Sequence, residues 1–103
     1  MMSDLIQALE DTKLKFAQFG WSKAPSGDYG IYGQDGGNIL RADNKSGERA
    51  DEATVDYFTR NPNAPAIATI EEAFDDIPCA WYLNSVQFEE DSGYIHYEWI
   101  VQV

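Results

Sequence analysis

The chain holds one cysteine, Cys79, and one histidine, His96. A single thiol excludes an intrachain disulfide and leaves no reason to expect an oxidising compartment. One His and one Cys fall short of the three or four ligands that a zinc site needs. A nucleophilic Cys79 would need a base, and His96 is the only imidazole available. No Lys or Arg occurs after Arg60, whereas Glu71, Glu72, Asp75, Asp76, Glu89, Glu90, Asp91 and Glu98 all do. An acidic surface of that kind repels phosphate, so neither nucleic acid nor an anionic membrane is an expected partner. No apolar stretch approaches the ~20 residues of a membrane span. The opening MMSDLIQALE lacks the basic region and apolar run of a signal peptide, so the cytoplasm is the expected place of synthesis.

What is present describes a folded domain. Hydrophobic residues make up 44% and aromatics 14%, enough for a core, and the 103 residues suit a single α+β domain, 1–103. The net charge of −11 keeps such a chain soluble or draws a basic partner. Ser3 is placed to cap a first helix, whose Leu5, Ile6 and Leu9 share one face and which ends near Asp11 or Thr12. The alternation in Lys13–Phe19 suggests a strand with Leu14 and Phe16 inward; the rival reading extends the helix to Phe19. Tyr29–Gly33 reads as a short strand, and Asp35-Gly36-Gly37-Asn38 as a turn into a further strand at Ile39–Arg41.

From Arg49 to Arg60, Ala53, Val55 and Tyr57 alternate with Thr54, Asp56 and Phe58 as in a strand. Ile67, Ile70, Phe74 and Ile77 then mark one face of a second helix, capped by Asn63 and stopped by Pro78. Ala80–Phe88 and Tyr94–Val103 form a hairpin about Ser92-Gly93, with Ile95, Tyr97, Trp99, Val101 and Val103 on one face. The order α-β-β-β-α-β-β predicts a two-layer α+β sandwich: an antiparallel sheet of four or five strands with both helices on one face.

No cluster reads as a catalytic, cofactor or metal site, and no enzyme activity is expected. The glycines at 27, 30, 33, 36 and 37 fit turns and form no phosphate loop. Glu89-Glu90-Asp91-Ser92-Gly93 lacks the alternate spacing of a calcium loop. Adjacent acids on a helix point in different directions, so Glu71, Glu72, Asp75 and Asp76 read as a solvated face or as a docking face for a basic partner.

One further pattern carries a resemblance. Ala42-Asp43-Asn44-Lys45 precedes the strand Ala53-Thr54-Val55-Asp56-Tyr57-Phe58-Thr59. An acidic helix with Ile67, Ile70 and Phe74 follows, and a hairpin ending Tyr94-Ile95-His96-Tyr97-Glu98-Trp99-Ile100-Val101 closes the chain. From about Gly27 onward this resembles the small tail-completion, or tail-terminator-like, proteins of long-tailed phages and prophages. The resemblance implies an α+β fold, a ring-like homo-oligomer, often hexameric, at the end of the tail tube, contacts with other tail or connector proteins, and a final place in the virion. It carries over no catalytic residue and no cofactor.

On that reading the sheet-edge strands, or the mixed-charge segment holding Arg41, Asp43, Asn44, Lys45, Glu48 and Arg49, are the expected subunit interfaces. The alternative is an acidic inhibitor or DNA mimic that occupies a basic site on a host protein.

Overall fold

A computed structural model describes residues 1–35 and 51–103. The elements run α1 (Met2–Asp11), β1 (Phe16–Gln18), β2 (Tyr29–Gln34), β3 (Glu52–Thr59), α2 (Pro65–Asp75), β4 (Ala80–Phe88) and β5 (Ile95–Gln102). This is the expected α-β-β-β-α-β-β order, and the fold is α+β. The strands form one sheet in the order β1-β2-β3-β5-β4. The turn at Asp35–Asn38 and the strand expected at Ile39–Arg41 lie outside the described residues apart from Asp35.

Alternation decides which face each strand buries. In β3, Ala53, Val55, Tyr57 and Thr59 are buried, while Glu52, Thr54, Asp56 and Phe58 are only partly so. In β5, Trp99 and Val101 face the same way, each paired across from β3 at Val55 and Ala53. Leu5 and Leu9 of α1 and Ile70 and Phe74 of α2 complete this core. Both helices thus cover one face, each through a stripe at three- and four-residue spacing, as the sequence predicts. Ile67 and Ile77 sit at the margin of the α2 stripe and pack on the core from there.

Three local expectations are corrected. The sheet is not wholly antiparallel: β1 pairs with β2 in parallel, Phe16 opposite Gly30 and Gln18 opposite Tyr32. The reversal that a hairpin would have made is replaced by a connection, 19–28, which leaves β1 through Phe19 (φ 63°) and Gly20 (φ 136°). Ser3 does not cap α1. The helix begins at Met2, because the Met1 carbonyl accepts the Asp4 N–H at 3.0 Å, placing Ser3 inside the first turn. Asn63 does not cap α2. Its N–H is bound by the Asn61 side chain at 2.9 Å, and the cap falls on Ala64, with Pro65 as the first helical residue.

Among the described residues, aromatic contacts cover one end of the second face of the sheet. Tyr29 stacks on Phe58 (4.7 Å between ring centres) and Phe58 on His96 (4.2 Å), with Tyr94 edge-on to both Tyr29 and Phe58. The Arg60 guanidinium lies 3.9 Å above the Tyr94 ring. The 19–28 connection is tied to this end: the Tyr94 hydroxyl donates to the Gly27 carbonyl at 2.8 Å, and Trp21 Nε1 donates to the Gly30 carbonyl at 3.0 Å.

Gly30 has a packing reason. A Cβ there would lie 2.2 Å from Cε1 of the Phe16 ring, which crosses its backbone to pack on the core. Gly30→Ala is expected to displace that ring and cost about 1–3 kcal/mol of unfolding free energy. The same substitution at Gly27, where a Cβ meets nothing within 4 Å, provides the comparison in urea titrations.

Candidate functional site

His96 and Asp56 face each other on the second face of the sheet, His96 Nε2 lying 2.7 Å from Asp56 Oδ1. Its other ring nitrogen, Nδ1, lies 3.4 Å from Glu89 Oε2. Burial pushes the Asp56 carboxyl above its usual range, and the bond to His96 opposes that shift. The arrangement holds an imidazole between two carboxylates.

Cys79 lies elsewhere. It precedes the end of β4 that pairs with Gln102, whereas His96 pairs with Gln87 near the other end of the strand. The Cys79 thiol donates to the Phe74 carbonyl at 3.2 Å, and burial pushes its pKa up, away from the reactive thiolate. Among the described residues, no group of three or more His, Cys, Asp or Glu side chains could hold a metal ion. No described helix is long and apolar enough to cross a membrane.

Glu71, Glu72 and Asp75 of α2 and its C-cap Asp76, grouped together by the sequence, are divided by the structure into two pairs. Glu71 is half-buried and its Oε2 accepts the indole N–H of the fully buried Trp99 at 2.9 Å. Asp75, one turn later, accepts the indole N–H of Trp81 at 2.8 Å. These two carboxylates lie on the flank of α2 that meets the sheet and satisfy its tryptophans. Glu72 and Asp76 instead face α1 and line a groove of about 410 Å³ with Asp4, Gln7 and Asp11, over Ala8, Ala73 and Ile77. The acidic residues of the α2 region that are free of tryptophan bonds thus share a groove with the acids of α1.

A consequence can be measured. Glu71→Gln replaces the carboxylate that accepts the Trp99 indole N–H and is expected to destabilise by about 1–2 kcal/mol. Glu72→Gln and Asp76→Gln should change the unfolding free energy by less than about 0.5 kcal/mol. Equal effects at Glu71 and Glu72 in thermal unfolding would contradict the division.

Arg41, Asp43, Asn44, Lys45 and Arg49, the mixed-charge interface expected from the sequence, lie outside the described residues, as does Glu48. The other expected interface, a sheet edge, is described. β4 ends the strand order, and on its outer side no described strand pairs with it. Its nine residues, AWYLNSVQF, carry no charge. Tyr82, Leu83, Val86 and Phe88 are 55%, 41%, 49% and 65% exposed. Natural edge strands are normally protected by charge, proline, brevity or a bulge; β4 has no charge, no proline and nine residues, and carries only a register slip between Leu83 and Ser85. The opposite edge, β1, is only three residues long.

The sequence marked β4 as a strand but not as an edge, because the hairpin could have joined the sheet by either strand. The absence of any charge from Ala80 to Phe88, in a chain with 25 charged residues among 103, was the available signal. No protein-family model matches the chain, and a search of curated proteins returns no match.

Proposed function

We propose that the protein is a phage or prophage virion assembly protein of the tail-completion kind, working by protein contact and not by catalysis. The observation that carries this reading is the β4 edge: nine uncharged residues, four exposed apolar side chains and an unpaired outer side among the described strands, in a chain of net charge −11. An edge of that composition serves as a template for another polypeptide. The resemblance of residues from about Gly27 onward to tail-terminator-like proteins supplies the class of partner: further copies of the chain and neighbouring tail or connector proteins.

The test is disruption of the gene in the phage that carries it, followed by electron microscopy of the lysate. Tails of irregular length, or tails and heads left unjoined, are expected. Virions of normal tail length and normal joining would exclude the proposal.

The groove between α1 and α2 favours a second reading, an acidic inhibitor or DNA mimic bound to a basic host site. Asp4, Asp11, Glu72 and Asp76 line it, and no base does among the described residues. Such binding would weaken steeply with salt, and Glu72→Lys with Asp76→Lys would abolish it. Host-protein capture that is insensitive to both would remove this alternative.

A further inference from the structure

The backbone of β4 adds a detail that the composition of the edge does not reveal. Its register against β5 slips between Leu83 and Ser85, and Asn84 and Ser85 both donate to Glu98 Oε1, at 3.2 Å each. Both side chains at the bulge therefore face the second side of the sheet. On either flank the alternation resumes. Trp81 and Leu83 pair with Val101 and Trp99, and Val86 and Phe88 with Tyr97 and Ile95. All four thus point to the helix side, while Tyr82 and Gln87 point away. Read from the midpoint between Asn84 and Ser85, the pattern of faces is the same in both directions. An unbroken strand, which changes face at every residue, has this symmetry only about a residue; the bulge moves the centre to the midpoint between Asn84 and Ser85.

The backbone polar groups follow the same symmetry. Val103 exchanges both of its hydrogen bonds with Asp51, so alternate residues of β5 back from Val103 turn their polar groups toward β3. Their β4 partners are Trp81, Leu83, Val86 and Phe88, which turn theirs outward. At the far end the Glu89 N–H bonds the Tyr94 carbonyl at 2.8 Å, which fits this parity. The outward donors and acceptors and the helix-side apolar side chains thus belong to the same residues.

We infer that the partner of β4 is β4 of a second copy, antiparallel, about a two-fold axis between Asn84 and Ser85. In this register Trp81 of each copy stands opposite Phe88 of the other, and Leu83 opposite Val86. Each such pair exchanges both N–H···O bonds, and the apolar side chains exposed beyond the helices cover one another. Tyr82 stands opposite Gln87 on the second face. The contact is isologous and so closes a pair rather than a ring. The inference rests on reading β4 as a contact surface. It adds the form in which the free protein keeps that surface covered.

Charge opposes the pairing in a way that can be measured. Glu89, Glu90 and Asp91 of one copy come opposite Ala80, Cys79 and Pro78 of the other, close to the Asp75 that holds Trp81. Like charges meet, so added salt should tighten the dimer, whereas capture of a basic protein would loosen.

The experiment is sedimentation equilibrium of the purified chain over micromolar to millimolar concentrations, at low and high salt. The expected mass rises from the 11.6 kDa of one chain toward twice that value, and rises further with salt. Val86→Pro removes an outward N–H and no β4–β5 bond. It should weaken association by at least about tenfold with an unchanged far-ultraviolet spectrum. The register has its own check in a Cys79→Ser background. Tyr82→Cys mixed with Gln87→Cys should form a mixed disulfide on mild oxidation, and neither should do so alone.

A monomeric mass throughout, or a dimer that ignores Val86→Pro and yields no mixed disulfide, would overturn the two-fold pairing. Neither result would touch the assembly proposal, which is read from tails in the lysate.

Discussion

Trp99→Ala is expected to remove about 3–5 kcal/mol of unfolding free energy, the largest loss of any single substitution considered. A domain of this size is stable by about 5–15 kcal/mol, so the variant should lose a large fraction of its stability. Trp99 is fully buried in the middle of the core. Its ring meets Phe74 of α2 edge-on at 5.8 Å between centres and lies parallel to Tyr97 at 5.9 Å. Truncation leaves a void between sheet and helix that neither layer can close without moving the other.

Two companion variants separate the contributions. Trp99→Phe keeps most of the packing but leaves the Glu71 carboxylate without its indole donor, and should cost about 1–3 kcal/mol. Trp81→Phe loses a similar bond to Asp75 in an exposed setting, and should cost less than Trp99→Phe. Urea titrations of the three give the order directly. A Trp99→Phe variant as unstable as Trp99→Ala would mean that the hydrogen bond, and not the packing, dominates.

The second large effect is alkaline. Burial, helped by the charge of Asp28, pushes the Tyr57 hydroxyl up to about 12 from the 10.0 of a free tyrosine. The folded state therefore holds this proton over a range in which the unfolded chain releases it. Stability from Tyr57 is complete below pH ~10 and is lost progressively as pH rises to ~12. Two pH units correspond to about 3 kcal/mol, a large share of the total. Tyr29 is also shifted upward, chiefly by burial, and adds in the same direction. Chemical unfolding at pH 8 and near pH 12 should show the loss. Tyr57→Phe should flatten most of it while leaving any Tyr29 contribution. An undiminished fall in the Tyr57→Phe protein would assign the alkaline sensitivity to another group.

Much of the architecture was legible from residue order. The alternation of Ala53, Val55 and Tyr57 gave β3 its buried face, and that of Trp99 and Val101 gave β5 the same face. The stripe of Ile70 and Phe74 set the side on which α2 packs. Other features depended on contacts distant in sequence. The parallel β1–β2 pair rests on ladder bonds across the 19–28 connection, and Lys13–Phe19 by itself does not specify the direction of its partner. The α2 acids looked alike in the sequence because each is an acid on a polar helix surface. Only the positions of Trp99 and Trp81 separate Glu71 and Asp75 from Glu72 and Asp76.

Periodicity and composition thus determined the elements, their buried faces and an acidic surface without a recognisable catalytic motif, because each of these is a property of neighbouring residues. The tertiary structure alone decided that β5 lies between β3 and β4, so that β4 became an edge of the described sheet, and that a bulge at Asn84 and Ser85 placed the centre of its face pattern between these two residues. Strand order and register are settled by which apolar faces can be buried together and which backbone groups are left to pair. That competition involves the whole chain, and no local window of residues contains it.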